Sequence, residues 1–95
     1  MEKLADGTYV QTRTGVQDAS TLFQGRGYIV AVRPFVEGDA LEIGDLIGSW
    51  TDTETGKVYL DHVEHYWDER IALNLAAVRG EIAIWDVANS KEIRL

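Results

Sequence analysis

Both histidines of the chain fall in one stretch, "YLDHVEHYWDER", which runs from Tyr59 to Arg70 and also holds Asp61, Glu64, Asp68, Glu69, Tyr66 and Trp67. Three chemistries suit these residue types. His62 and His65 have the H-x-x-H spacing, which on a helix sets two imidazoles on one face, where a metal could bridge them. Glu64 beside the histidines could raise an imidazole pKa and make a general acid–base pair. Aromatic rings among acids could instead form a protein contact, because Tyr and Trp bury area rigidly and keep a polar handle.

The elements that must position these residues separate the three. "KVYLDHV" reads as a strand, and a strand's period of two sends His62 and His65 to opposite faces of a sheet. It keeps His62 with Glu64, and Asp61 with His65. His-x-Glu occurs in zinc deaminases, but those also need a cysteine pair, and this chain has no cysteine. The lack of cysteine also excludes disulfide scaffolds, thiol nucleophiles and iron–sulfur clusters. A two-ligand site completed by Asp68 or by a second chain is the metal alternative, set against the four protein ligands that a structural zinc normally needs. The expectation is no metal and no cofactor.

An enzyme built on His62, Glu64 and His65, with Tyr66 or Arg70 assisting, would be a small hydrolase or a metal-dependent catalyst. No nucleophile elbow, phosphate-cradling glycine loop or dinucleotide fingerprint accompanies them. "GRG" precedes a strand instead of following one, and "GDALEIG" is acidic. Catalysis is therefore the alternative reading. The leading one is a non-enzymatic contact surface made of Tyr59, Tyr66 and Trp67 with Asp52, Glu54, Asp61, His62, Glu64 and His65.

Charge points the same way. Residues 37–69 carry ten acids against the single base Lys57, whereas each flanking segment carries three acids and four bases. This opposes direct nucleic-acid binding, which needs a basic footprint. It suits a partner protein with a basic surface, or an inhibitor whose carboxylates imitate a nucleic acid. "MEKLADGTYV" lacks the apolar core of a signal peptide, and no apolar run approaches the ~20 residues of a membrane helix. A soluble cytoplasmic protein is expected.

Ninety-five residues suit one domain, residues 1–95. "GYIVAVRP" reads as a central strand closed by Pro34. "LIGSWTDTETGKVYLDHVEHY" reads as a hairpin whose turn uses Gly56 and lacks the spacing of a calcium loop. Asp68 suits a helix N-cap, "ERIALNLAAVR" the helix, and Gly80 the position beyond its end. "EIAIWDV" and "EIRL" form a last hairpin. "GTYVQTRT" can be a strand, whereas "GVQDASTLFQGRG" and "FVEGDALEIGD" read as loops with at most a helical turn. The fold class is α+β: five or six mostly antiparallel strands, mixed if the helix joins parallel neighbours, packed by one helix over about 69–79. The expected core is Ile29, Val32, Leu46, Trp50, Leu60, Ile71, Leu75, Val78, Ile82 and Ile84. The C-terminal strand could pair two copies through its edge.

The run "GYIVAV", "IGSWTDTETGKVYLD", the helix, "EIAIWDV" and "EI" resembles small uncharacterised proteins of actinobacterial phages and prophages, and domains of larger phage polyproteins. The resemblance covers Gly27 to Ile93. It implies a phage or mobile-element origin and a bacterial host cytoplasm, and it brings no activity.

Overall fold

The computed structural model describes residues 4–95. Its elements are β1 (Gly7–Thr12), β2 (Gly15–Asp18), β3 (Tyr28–Pro34), β4 (Leu46–Thr51), β5 (Val58–Tyr66), α1 (Glu69–Val78), β6 (Ala83–Asp86) and β7 (Lys91–Arg94). The strands form one sheet in the order β2-β1-β4-β5-β3-β6-β7, and every neighbouring pair is antiparallel.

The α+β class is as expected, but among the described residues the sheet has seven strands instead of five or six and no parallel pair. The additional strand is β2. Its only cues are Val16 and the turn before it, where Thr12 Oγ1 donates to the Gly15 carbonyl (2.7 Å) and accepts from Thr14 N–H (3.2 Å). No alternation of apolar residues marks so short a strand. The expected parallel neighbours, β5 and β6, do point the same way. They are separated by β3, which is antiparallel to both, so the α1 connection steps over a strand.

The register settles which residues share a face, because directly opposed residues point to the same side. One face carries Ile47, His62, Glu64, Tyr66, Val30, Tyr28, Ile84 and Ile93. On one half of it α1 sets Ala72 and Ala76 against Val30 and Ile84. The other half lies under the crossover 35–45, which brings the Phe35 ring to 5.2 Å from the His62 ring and ties Asp39 to the same imidazole. Ile47, paired with His62, is fully buried there. The opposite, helix-free face carries Trp50, Tyr59, Asp61, Val63, His65, Ile29 and Trp85. The connection 19–27 reaches it, stacking Phe23 on His65.

Helix α1 is set by its ends. The Asp68 carboxylate accepts from Ile71 N–H (3.0 Å), which supplies the acceptor that the first turn lacks. At the other end Glu81 N–H reaches the Ala76 carbonyl and Gly80 N–H the Ala77 carbonyl, with Gly80 at φ 74°. That double bond stops the helix one residue before the expected Arg79.

Of the expected core, Ile29 and Ile84 are buried, while Leu46, Leu60 and Leu75 are half-buried. Val32, Trp50, Ile71, Val78 and Ile82 are exposed. The helix explains two of these corrections. Two stripes of spacing i, i+4, i+7 run along it: Ala72, Ala76, Arg79 and Ile71, Leu75, Val78. The small alanines face the sheet and let the backbone approach closely, which turns the larger stripe outward. Val32 sits at the bulge in the β3–β5 ladder, where the alternation slips. For Ile82 no physical cause beyond its place before β6 is evident.

Candidate interaction face

The hairpin β4–β5 is closed by Asp52 N–H to the Lys57 carbonyl (2.9 Å) and Gly56 N–H to the Asp52 carbonyl (2.8 Å), with Gly56 at φ 73°. The Asp52 carboxylate accepts from Glu54 N–H (2.8 Å), so Asp52 builds the turn and Glu54 stands exposed at its tip. This closure sets Trp50 opposite Tyr59. Their rings stack at 4.7 Å and 15°, and the Lys57 ammonium lies 5.0 Å from the Tyr59 ring centre. Asp61 follows on the same face. Burial pushes its carboxyl above the usual range, and a hydrogen bond from Trp50 partly offsets this.

At the far end of β5, His65 is clamped from three sides. Phe23 stacks on it at 3.8 Å, Trp67 meets it edge-on at 4.5 Å, and its Nε2 lies 2.8 Å from the Arg26 carbonyl. A carbonyl can only accept, so Nε2 carries the proton. The imidazole here is a packing piece between a phenyl and an indole.

His62 and His65 lie on opposite faces. On the helix side, His62 Nε2 donates to Asp39 Oδ2 (2.9 Å), which also accepts from Arg33 (3.0 Å) and Val36 N–H (3.0 Å). Backbone donation from Val36, then His62 and Arg33, holds the Asp39 carboxyl down at about 2. Glu64 accepts from the Tyr66 hydroxyl (2.6 Å) and from Arg79 (2.5 Å), which lowers its pKa in that order of effect. These groups fasten the crossover and the helix to the sheet. Two shallow depressions are open to solvent, one around the start of α1 and one bounded by Gly44–Leu46 and Val63–Tyr66, and His62 lines neither. Among the described residues no three His, Cys, Asp or Glu side chains converge as metal ligands, and no helix is long and apolar enough to cross a membrane.

The nine residues singled out from the sequence therefore divide. Tyr59, Asp61, His65 and Trp67 belong to the helix-free face, and Glu54 to the hairpin tip beside it. Asp52 serves the turn. His62, Glu64 and Tyr66 are on the other face, engaged with Asp39 and Arg79. Sequence reasoning missed Asp39, Arg79 and Phe23 as partners, and it assigned Trp50 to the core. Trp50 could have been found: it and Tyr59 are equally distant from the two ends of the 52–57 turn, which makes them cross-strand neighbours.

All three tryptophans are exposed on this one face. Trp50 is 49 %, Trp67 61 % and Trp85 44 % accessible, although tryptophan is on average a highly buried residue. Trp85 joins them through the row Trp85–Ile29–His65. No family model matches the chain, and no curated protein or solved structure matches it either. The reading of function rests on this geometry.

The Asp39 clamp has a pH consequence. Its folded-state pKa of about 2 lies below the free value of 3.8, so the ionised group contributes stability that is complete above about pH 4 and lost as pH falls through 2. Urea unfolding of Asp39→Asn and the parent chain should show a gap at pH 6 that closes toward pH 2. A gap of constant size would show that the carboxylate charge does not hold the crossover.

Proposed function

We propose that the chain is a non-enzymatic interaction module that docks a partner protein on its helix-free face. The observation that carries this reading is the placement of all three tryptophans, each more than two-fifths accessible, on one side of the sheet. Tryptophan and tyrosine dominate the energetic centres of protein interfaces; here β4 and β6 carry Trp50 and Trp85, and Trp67, in the bend after β5, packs edge-on against His65. Glu54, Asp61 and Glu92 stand at or beside the face, within a chain of net charge −7. The partner surface is accordingly apolar at its centre and basic at its rim.

The test is site-specific capture from a bacterial lysate. Trp50→Ala and Trp67→Ala should each weaken capture of the same partner by about 30-fold, about 2 kcal/mol. Val78→Ala, on the exposed side of α1, should leave it unchanged. Moderate loss with rising salt is expected from rim charges. Equal capture by the two tryptophan variants and the parent would overturn the reading. Competition by DNA or RNA, with a steep salt dependence, would move it to the nucleic-acid-mimicking inhibitor.

A further inference from the structure

We infer that β7 joins a second copy of the chain, edge to edge and antiparallel, in the one register that puts Ile93 opposite its own twin. Strand β7 closes one side of the sheet. Leu95 N–H donates to the Ile82 carbonyl (3.0 Å). Because backbone polar groups alternate along an antiparallel strand, Ile93 and Lys91 also direct theirs toward β6. The N–H and C=O groups of Glu92 and Arg94 therefore point outward, with no neighbouring strand among the described residues. The edge carries neither a proline nor a bulge, two of the devices that blunt free edges.

Side-chain chemistry selects the register. A two-fold axis through Ile93 sets Glu92 opposite the second copy's Arg94, and Arg94 opposite its Glu92. These become the pairs that exchange backbone hydrogen bonds, four in all. Ile93 faces Ile93 in the closer, non-hydrogen-bonded pairing, on the side where Ile93 already packs against the core of Val30, Ala72, Ala76 and Ile84. A slip of one residue would invert every side chain. A slip that centres the axis on Glu92 or on Arg94 sets like charges face to face, which is unfavourable. In each single chain Glu92 and Arg94 already pair with each other at 3.1 Å, so docking exchanges two exposed ion pairs, one in each chain, for two across the axis, and charge sets the register more than the affinity. The two-fold arrangement is closed and ends at two chains. It also leaves both helix-free faces on the same side of a continuous sheet. A four-residue edge buries less than a standard interface, so the association belongs to the weak, concentration-dependent class.

Sedimentation equilibrium of the full chain across micromolar to submillimolar concentrations tests this. The parent should approach twice the 10.6 kDa chain mass. Glu92→Arg should remain monomeric, because arginine would face arginine. The exchange Glu92→Arg with Arg94→Glu should restore the dimer. Glu92→Pro removes the outward N–H together with the exposed Glu92–Arg94 ion pair and leaves the β6 ladder bonds in place, so it should be monomeric with a thermal midpoint close to the parent's. A parent that stays monomeric overturns the inference. So does a dimer that survives Glu92→Arg and Glu92→Pro, a charge exchange that fails to restore association, or an edge that pairs only with another protein's strand. Glu92 stands opposite Trp85, so each edge variant is also assayed for partner capture: an edge that fails to associate while Trp50→Ala still weakens capture leaves the interaction face standing, and the converse leaves the edge standing.

Discussion

Replacing Gly27 by alanine is expected to lower the unfolding free energy by about 3 kcal/mol, from two causes of about 1–2 kcal/mol each. Gly27 holds φ at 93°, a region that L residues with a Cβ rarely enter. A Cβ there would also collide with the His65 imidazole and stand 2.9 Å from the Tyr66 carbonyl oxygen. The imidazole has nowhere to retreat, because Phe23 lies flat on it, Trp67 meets it at the edge, and the Arg26 carbonyl holds Nε2. Gly25→Ala is the control: φ is 68° but the space around a Cβ is open, so only the backbone cost of about 1–2 kcal/mol applies. Urea unfolding of both, with near-ultraviolet circular dichroism to follow the His65 stack, separates the two causes. Equal losses would mean that the His65 clamp is not what demands glycine at position 27.

The second large effect is at Ile47. Its replacement by alanine should cost about 3 kcal/mol, within the range for a large aliphatic residue removed from a close-packed site. Val78→Ala, at a residue 84 % accessible, should change stability by less than about 0.5 kcal/mol. The contrast is informative because sequence reasoning placed Val78 in the core and passed over Ile47. Denaturant midpoints of the two variants decide it. Comparable losses would mean that the crossover 35–45 does not seal that half of the sheet.

These two residues show what could be read from the chain and what could not. The β4–β5 hairpin was legible because a glycine turn sits between two β-branched runs, and its closure alone pairs Trp50 with Tyr59. The helix was legible from Asp68 and Gly80, which act within one turn of the backbone. Its orientation was not. Ile71–Leu75–Val78 and Ala72–Ala76–Arg79 have the same spacing, and only the closeness of α1 to β3 and β6 favours the alanines. Strand periodicity separated His62 from His65, yet nothing local foretold that His62 would meet Asp39, 23 residues away, or that Glu64 would meet Arg79. Those pairings depend on two connections that cross the same face of the sheet, and strand order is a property of the whole chain. Trp50 misled for a related reason. An indole in a β-rich run suggests a core, and only the sheet's layering reveals that its side is left uncovered.

The central strand also has a history in time. Strand β3 pairs with β5 and β6 alone, and both are encoded after it, at residues 58–66 and 83–86. During synthesis the hairpins β1–β2 and β4–β5 can close from local sequence, while "YIVAV" waits with both edges open. Apolar, β-branched and uncharged, such a segment is the kind that pairs with copies of itself when left exposed. In the finished fold the C-terminal hairpin β6–β7 shields the second edge of β3. Chains that stop short of residue 83 would leave that edge open, and their fate would be aggregation instead of partial function.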